Sequence, residues 1–279
     1  EPWMSAPKDP KGGNTVKSDH KMVSPDTFVE IFNCNVKSHS ESKGKDDDDD
    51  TQMRPFITLT YAQSIDGSIA AERGKPLLLS GKESMIMTHR LRALHDGIMI
   101  GVGTLIADNP SLTTRLVPGS HPRPIILDTS LRAPISRKIF SRKKGNLPII
   151  VCSDQKKDQE FDHRKKTLEA AGATIIRCKE SEDGRIDIHS MLDLLRPFVK
   201  SIMIEGGASV IRSFIETAAQ KEKCRCAVDQ VIITIAPLFV GGLNPCTDQA
   251  SSLKAEFPRF SKIRYTCVGS DIMLCGSFR

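Results

Sequence analysis

Short apolar runs separated by longer polar or amphipathic segments recur through residues 54–279. FITLTY at 56–61 and GIMIG at 97–101 are too short for helices and are rich in β-branched or aromatic residues, so they predict buried strands. Strands are predicted on the same grounds at 56–61, 97–101, 124–128, 148–152, 173–178, 201–205 and 229–235.

Helix start and stop signals lie between these runs. Ser80 and Glu83 form an S-x-x-E pair, which predicts a capping box and a helix from residue 80 to about residue 94. Gly172 ends a second predicted helix, at 161–171. Further helices are predicted at 187–195 and from 206 to about 220, with a single helical turn at 104–108 that Asn109 and Pro110 stop.

Strands that alternate with helices predict an α/β fold with a mostly parallel central sheet flanked by helices. Gly269 and Ser270 separate two further strand-like runs, 263–268 and 271–275, and predict a hairpin. The sheet is therefore expected to carry antiparallel C-terminal edge strands. Residues 54–279 are expected to form one domain.

Residues 1–53 differ in composition from the rest of the chain. They are rich in Lys, Ser, Asp, Gly and Pro, they include five consecutive aspartates at 46–50, and they contain few apolar residues. Such a segment cannot bury enough apolar surface to offset its conformational entropy, so we predict a disordered polar tail. A solvated linker is favoured over an interaction tail.

Charge narrows the expected partners. The chain has a net charge of +6, but the tail holds seven Lys against eleven Asp or Glu, so residues 54–279 have a net charge of +10. A basic body attracts nucleic acid or anionic small molecules such as nucleotides and sugar phosphates. Because no aromatic-rich RNA platform or basic helix accompanies the charge, we expect a small anionic ligand and no nucleic acid.

Several protein classes are excluded by missing patterns. No apolar run reaches the ~18–20 residues that span a bilayer, and the N-terminus is polar, so a soluble cytoplasmic protein with no membrane partner is expected. The eight cysteines are scattered, and the C-x-C at Cys224 and Cys226 lacks a second pair, so reduced thiols and no metal site are expected. P-loop, G-x-S-x-G and zinc-deaminase motifs do not occur.

The first candidate site follows the predicted strand at 97–101. Gly101 and Gly103 allow a ligand to approach the backbone closely, and Thr104 lies one helical turn from Asp108, so both side chains can face one ligand. The structural alternative is a tight strand–helix turn capped by Thr104. Spacing alone favours that alternative, because a bare G-x-G lacks the third glycine of the dinucleotide fingerprint.

The second candidate site is EGGAS at 205–209. Glu205 ends an apolar strand, and Gly206, Gly207 and Ser209 open a helix whose free N–H groups favour phosphate. A glycine-rich turn with Ser209 as the N-cap explains the same residues equally well.

Charged side chains near these segments extend the candidate list. One or two arginines are expected to hold an anionic substrate through paired hydrogen bonds. The arginines considered are Arg92, Arg115, Arg123 and Arg132. His89 is predicted to lie on the surface and His95 at a helix end, neither with a catalytic role.

Four motifs occur in a fixed order: YAQSIDG at 61–67, GTLIADNPSLT at 103–113, RPIILD at 123–128 and EGGAS at 205–209. In this order they resemble the riboflavin-pathway reductases, in particular the stand-alone fungal diaminohydroxyphosphoribosylaminopyrimidine reductases. The resemblance runs from about residue 54 to the C-terminus, and the T-x-x-A-D-[DN]-P-x-L-T string is specific to that family.

The resemblance implies a dihydrofolate-reductase-like fold, a homodimer and a reductase domain at 54–279. It further implies NADPH-dependent reduction of a small phosphorylated pyrimidine, 2,5-diamino-6-(ribosylamino)pyrimidinone 5′-phosphate, to the ribitylamino form. The cofactor-binding positions that it implies are Thr104, Asp108, Val151, Gly206, Gly207, Ala208 and Ser209. The substrate-binding positions that it implies are Arg92, Leu112, Arg115 and Glu205.

Some questions stay open at this point. Either Glu205 or water can supply the proton that reduction requires. A folate-type reductase on the same fold is the main alternative enzyme, and it would need a buried carboxylate for a pteridine and no phosphate-binding arginines. A non-enzymatic nucleotide-binding regulator that retains the pocket is the second alternative.

Overall fold

The computed structural model describes residues 54–75, 77–143, 145–219, 227–245 and 258–278. The predicted tail at 1–53 and the C-x-C pair, Cys224 and Cys226, lie outside the described residues. Each cysteine within the described ranges is a free thiol.

Nine strands form one sheet in the described part of the chain. They are β1 (Phe56–Ser64), β2 (Gly97–Gly101), β3 (Arg123–Leu127), β4 (Ile149–Ser153), β5 (Thr174–Cys178), β6 (Ser201–Gly206), β7 (Gln230–Ala236), β8 (Phe260–Val268) and β9 (Asp271–Phe278). Their spatial order is β5-β4-β3-β2-β6-β1-β7-β9-β8. The six pairs from β5 to β7 are parallel and the two pairs that involve β9 are antiparallel, so the predicted α/β sheet with antiparallel C-terminal edge strands is confirmed.

Helices connect the strands at the predicted places. They are α1 (Lys82–Leu94), α2 (Val102–Asp108), α3 (Gln159–Ala170), α4 (Ile188–Leu195) and α5 (Ala208–Ala219), with a 3₁₀ turn at Lys138–Ser141. No helix within the described ranges combines the length and hydropathy needed to cross a bilayer.

The helices pack on both faces of the sheet, because alternate residues of the buried strands point to opposite sides. On one face, Ile57 and Leu59 of β1 join a core with residues of α4 and α5, such as Leu192 and Phe214. On the other face, α2 and α3 pack on β2, β3 and β4, while α1 packs on β6, β7 and β9. These layers leave the carboxyl ends of the central strands as the place where connecting segments meet.

The predicted capping box is wrong. Helix α1 begins at Lys82, its N-cap is Gly81, and no side chain caps it locally. Instead, Asp271, at the start of β9, accepts a hydrogen bond from the Gly81 N–H at 2.8 Å through its buried carboxylate. A carboxylate distant in sequence thus replaces Ser80, which the local pattern favoured.

The predicted surface position of His89 is also wrong, because its side chain is fully buried. Helix α1 is enclosed on two sides. Met87 and Leu91 pack against the sheet on one side of the helix. On the neighbouring side, Arg92 donates a hydrogen bond to Glu205 of β6. His95 lies at the helix end, as predicted, and is its C-cap residue.

The chain changes direction across the sheet between β2 and β6. From β2 it continues outward to β3, β4 and β5, and it then returns to place β6 between β2 and β1. In open parallel sheets, ligands bind at the carboxyl ends of strands at such a switch point. Both candidate segments, 101–108 and 205–209, start there.

Candidate active site

A cavity of about 430 Å³ opens at the carboxyl ends of β1, β2 and β6. Six of the residues proposed from sequence line it: Thr104, Asp108, Glu205, Gly207, Ala208 and Ser209. The tertiary fold therefore brings the two candidate segments to one cavity, although they are about 100 residues apart in the chain.

A direct contact joins the two glycine segments. The Gly207 N–H donates to the Thr104 hydroxyl oxygen at 3.1 Å. A Cβ at Gly207 would lie only 2.6 Å from that oxygen, so glycine is required for the approach. Thr104 is therefore not the N-cap of α2, which is Gly101, and its hydroxyl connects α2 to the start of α5.

Gly103 has a different reason for being glycine. A Cβ there would have no heavy atom of a described residue within 4 Å, so packing against that part of the chain does not demand a glycine. The residue lines the cavity. A missing side chain at that place lets a ligand contact the backbone of the first turn of α2.

Backbone donors at the start of α5 also face the cavity. Ala208 and Ser209 occupy the first turn of this twelve-residue helix and line the cavity. First-turn N–H groups lack intrahelical partners and lie at the positive end of the helix dipole, which suits the phosphate oxygens of a cofactor. Ser209 lies inside the helix, so the interpretation of this residue as an N-cap is wrong.

Asp108 presents its carboxylate to the same cavity without a role in capping. The C-cap of α2 is Asn109, whose left-handed backbone (φ 42°) lets its N–H donate to the Leu105 carbonyl oxygen at 3.2 Å. Desolvation raises the pKa of the Asp108 carboxyl above its ordinary value, although the residue as a whole is exposed. This carboxylate can accept hydrogen bonds from the hydroxyls of a ligand.

Glu205 reaches the cavity from the end of β6 and is held by Arg92 of α1. The Arg92 guanidinium donates from Nε and Nη2 to the two carboxylate oxygens of Glu205, at 2.6 and 2.7 Å. The side chains are 11% and 15% exposed. Burial alone would lower the pKa of Arg92, but the charge and hydrogen bonds of Glu205 raise it overall, so the guanidinium keeps its charge.

The segment after α2 lies beside this ion pair. Arg92 also donates from Nη1 to the Thr113 carbonyl oxygen at 3.1 Å. Leu112 packs its side chain into the core and has a left-handed backbone with φ 52°. Arg142 donates to the carbonyl oxygens of Ser111 and Leu112, the latter at 2.6 Å. Three consecutive carbonyl groups are therefore bound by two arginines.

Other positions proposed from sequence lie outside the lining of this cavity: Arg92, Leu112, Arg115, Val151 and Gly206. The side chains of Leu112 and Val151 are in the core, so contact with a ligand would use their backbone. Arg115 is exposed and has no ion pair with a described residue. Arg123 is bound to the Leu147 carbonyl and Thr174 hydroxyl oxygens, and Arg132 lies 3.6 Å from the Asp128 carboxylate.

Asp66 forms part of the cavity's supporting wall. Its carboxylate accepts hydrogen bonds from the hydroxyls of Ser64 and Ser68 and from the N–H groups of Val240 and Gly241. These bonds, that of Ser64 first, hold the pKa of Asp66 well below its usual range. They tie residues 64–70 to residues 238–243, and both segments contribute to the cavity lining.

Sequence reasoning missed much of the cavity. Tyr61, Ile69, Met85 and Leu243 line it, together with charged residues at 72–75. The YAQSIDG motif at 61–67 was a signal for Tyr61 but not for Ile69. Met85 and Leu243 carried no signal, because their places depend on packing between distant segments. Among the described residues, no group of three His, Cys, Asp or Glu side chains could hold a metal ion.

Comparisons with known proteins agree with this geometry. A family model described as the RibD C-terminal domain matches residues 55–274. The chain is 32% identical over 238 residues to a Candida glabrata protein named 2,5-diamino-6-ribosylamino-4(3H)-pyrimidinone 5′-phosphate reductase, across 80% of this chain and 88% of that protein. A Debaryomyces hansenii protein of the same name is 36% identical over 200 residues, across 67% and 77% of the two chains.

A solved structure is similar over nearly the whole described region. The Saccharomyces cerevisiae riboflavin biosynthesis reductase Rib7 superposes with a TM-score of 0.66 and 26% sequence identity. The match covers 90% of this chain and 99% of that one.

Proposed function

The chain belongs to the RibD C-terminal domain family, and we propose that it is an NADPH-dependent reductase of riboflavin biosynthesis. The proposed reaction converts 2,5-diamino-6-(ribosylamino)pyrimidinone 5′-phosphate to its ribitylamino form. The names of the fungal relatives support this substrate. The observation that carries the proposal is the contact between Thr104 and Gly207, which unites the two glycine segments around one cavity.

The cavity fits a dinucleotide cofactor. Gly103 leaves room for close approach, the first turn of α5 offers donors for phosphate, and Asp108 offers an acceptor for hydroxyls. Bound NADPH supplies the hydride for the reduction. The residues proposed for cofactor binding remain Thr104, Asp108, Val151, Gly206, Gly207, Ala208 and Ser209.

The protein's part in the reaction is to hold two molecules in near-attack geometry. The Glu205 carboxylate, fixed by Arg92, would accept hydrogen bonds from the sugar hydroxyls of the substrate once its ring has opened. Leu112 and Arg115 complete the proposed substrate contacts. The walls of the cavity would exclude bulk water from the reacting carbon, and a retained water would deliver the proton to nitrogen, because both oxygens of Glu205 already accept hydrogen bonds from Arg92.

The folate-type alternative is disfavoured by Glu205 itself. A pteridine would need an unpaired buried carboxylate, whereas both oxygens of Glu205 are already bound to Arg92.

A homodimer in the cytoplasm is part of the proposal. Tyr265 of β8 pairs with Leu274 of β9, and Ile272 lies two residues from Leu274, so the three side chains share one face of the sheet. Tyr265 is 76% exposed and Ile272 44% exposed. Exposed apolar residues on an edge hairpin are typical of a subunit interface. Light scattering of wild type and of Tyr265→Lys would test whether this face joins two copies.

NADPH oxidation with the pyrimidine substrate tests the function. We expect turnover with that substrate, none with dihydrofolate, and slower turnover when NADH replaces NADPH. Binding of NADPH without oxidation would favour the regulatory alternative, and turnover of dihydrofolate would favour the folate-type enzyme. A protein lacking residues 1–50 should keep its turnover if residues 54–279 form the reductase domain and 1–53 only a polar tail.

A further inference from the structure

The segment that links α2 to β3 is held by residues 138–142, the 3₁₀ turn and the arginine after it, which we call the clamp turn. The Lys138 N–H donates to the Asn109 side-chain oxygen at 3.0 Å. Arg142 donates from Nη2 to the Ser111 and Leu112 carbonyl oxygens and from Nη1 to the Pro122 carbonyl oxygen at 2.8 Å. One guanidinium thus binds both ends of residues 111–122.

The held backbone has a conformation that it would not adopt by itself. Leu112 has φ 52°, in the left-handed region that leucine rarely occupies. Such a conformation persists only when its surroundings determine it from several sides. Here the Arg142 bonds act on one side, and the Thr113 carbonyl is held by Arg92 on the other. The direction in which the chain leaves this point decides where Arg115 lies.

Arg142 also places a charge that no described carboxylate neutralises. It forms no ion pair with any carboxylate in the described part of the chain. Burial, and then the charge of Arg92, lower the pKa of Arg142 to about 10, so it is still protonated at neutral pH. The Arg142 charge is thus felt by Arg92, whose own carboxylate partner is Glu205. A half-buried positive charge without a carboxylate partner among the described residues favours the binding of an anion.

We propose that Arg142 is a positioning residue for substrate binding: it fixes the backbone of residues 111–113 so that Arg115 meets the phosphate of the substrate. This inference rests on the proposed function, because it takes a phosphorylated substrate as the ligand. A phosphate group of the cofactor is the other ligand that would bind Arg115 in the same way. The substrate is favoured because the groups suited to the cofactor, Thr104, Asp108 and the start of α5, line the cavity together, and Arg115 and Arg142 are not among its lining residues.

The test compares Arg142→Gln and Arg142→Lys with a matched control. Arg123 is also partly buried and also binds a carbonyl oxygen, that of Leu147, but it does so at the amino end of β3, away from the cavity. Arg123→Gln therefore reports the effect of losing a structural arginine. Michaelis constants for the pyrimidine substrate and for NADPH, kcat and melting temperature are measured for all three variants and wild type.

We expect Arg142→Gln to raise the substrate KM about tenfold or more, the equivalent of one strong hydrogen bond. The NADPH KM should change less than about twofold. Arg142→Lys should stay impaired, because an ammonium keeps the charge but cannot span three carbonyl groups. Arg123→Gln should lower the melting temperature without a selective change in the substrate KM.

Full rescue by Arg142→Lys, or an equal rise in both Michaelis constants, would overturn the positioning role. A second measurement keeps the test independent of turnover. Binding of ribose 5-phosphate and of 2′-AMP is followed by calorimetry, and Arg142→Gln should weaken the first and spare the second. The reverse pattern would assign the residue to the cofactor and overturn the proposal. Wild-type protein that binds ribose 5-phosphate without reducing the pyrimidine would refute the proposed function but not the role of Arg142.

Discussion

Arg92 and Glu205, 113 residues apart in the chain, meet in a two-pronged ion pair at the end of β6. Removing one partner of a buried pair leaves an uncompensated charge. Glu205→Ala should therefore lower the free energy of unfolding by about 3–5 kcal/mol, and Glu205→Gln by less, because the amide still accepts one hydrogen bond. Urea denaturation measures both.

The exposed pair of Arg164 and Glu160 on α3 is the control for this experiment. Glu160→Gln should cost under about 1 kcal/mol, since exposed ion pairs are screened by water. If Glu205→Ala were as mild as that control, the Arg92 charge would have another partner and the pair would not anchor the site.

Gly103→Ala separates ligand contact from packing. Alanine is favoured over glycine in a helix by about 1 kcal/mol, and no atom of the described residues obstructs its methyl group. The melting temperature should stay the same or rise, while NADPH affinity should fall because the methyl group enters the cavity. Unchanged affinity in a more stable protein would mean that no ligand approaches this turn.

Asp108→Ala should weaken NADPH binding by about 1–3 kcal/mol, roughly five- to 150-fold. Like charges repel, so a hydroxyl donor of the cofactor and not its phosphate is the expected partner. Fluorescence titration beside a melting curve measures the two effects. Because Asn109 caps α2, the stability of Asp108→Ala should barely change. A lower melting point with unchanged NADPH affinity would mean that Asp108 has a structural role and does not bind the cofactor.

His89 and His95 provide a paired test on one helix. His95 contacts the Leu91 carbonyl oxygen at 2.7 Å and the Thr58 hydroxyl at 2.8 Å, whereas neither nitrogen of buried His89 has a partner among the described residues. Burial lowers the pKa of both to about 4, so both are neutral at pH 7. His89→Leu should be neutral or stabilising, and His95→Leu should cost about 1–3 kcal/mol. Equal losses would reveal hidden partners of His89.

Asp66 gives the fold a dependence on pH. Its hydrogen bonds hold the folded-state pKa below the unfolded value, so their contribution is present above about pH 4 and is lost as the pH falls further. Asp66→Asn should be less stable than wild type at pH 7, and the gap should narrow in acid. Asp193→Asn, an exposed change on α4, should show no such convergence. A gap independent of pH would contradict the assignment.

Sequence alone determined the helices and strands and identified the residues of the two candidate segments. It did not determine how those segments meet. Alternation of apolar residues depends on neighbours two to four positions away, so all predicted strands and helices were confirmed, with ends that moved by at most three residues. The motifs at 103–113 and 205–209 contain Thr104, Asp108 and Glu205, so these residues can be recognised from the sequence without the fold.

The tertiary structure decided whatever depends on which distant segments meet. Ser80 matched a local capping rule, yet Asp271 caps α1, because the hairpin turn packs at its start. His89 resembled a surface residue, yet the folded chain buries its side chain completely. Arg92 could be predicted to bind an anion, but only the sheet order β2-β6-β1 determined that its anion is Glu205. Hydrophobic periodicity indicates which face of a helix or strand is buried. It does not indicate which segment covers that face, because the covering segment depends on the packing of the whole chain.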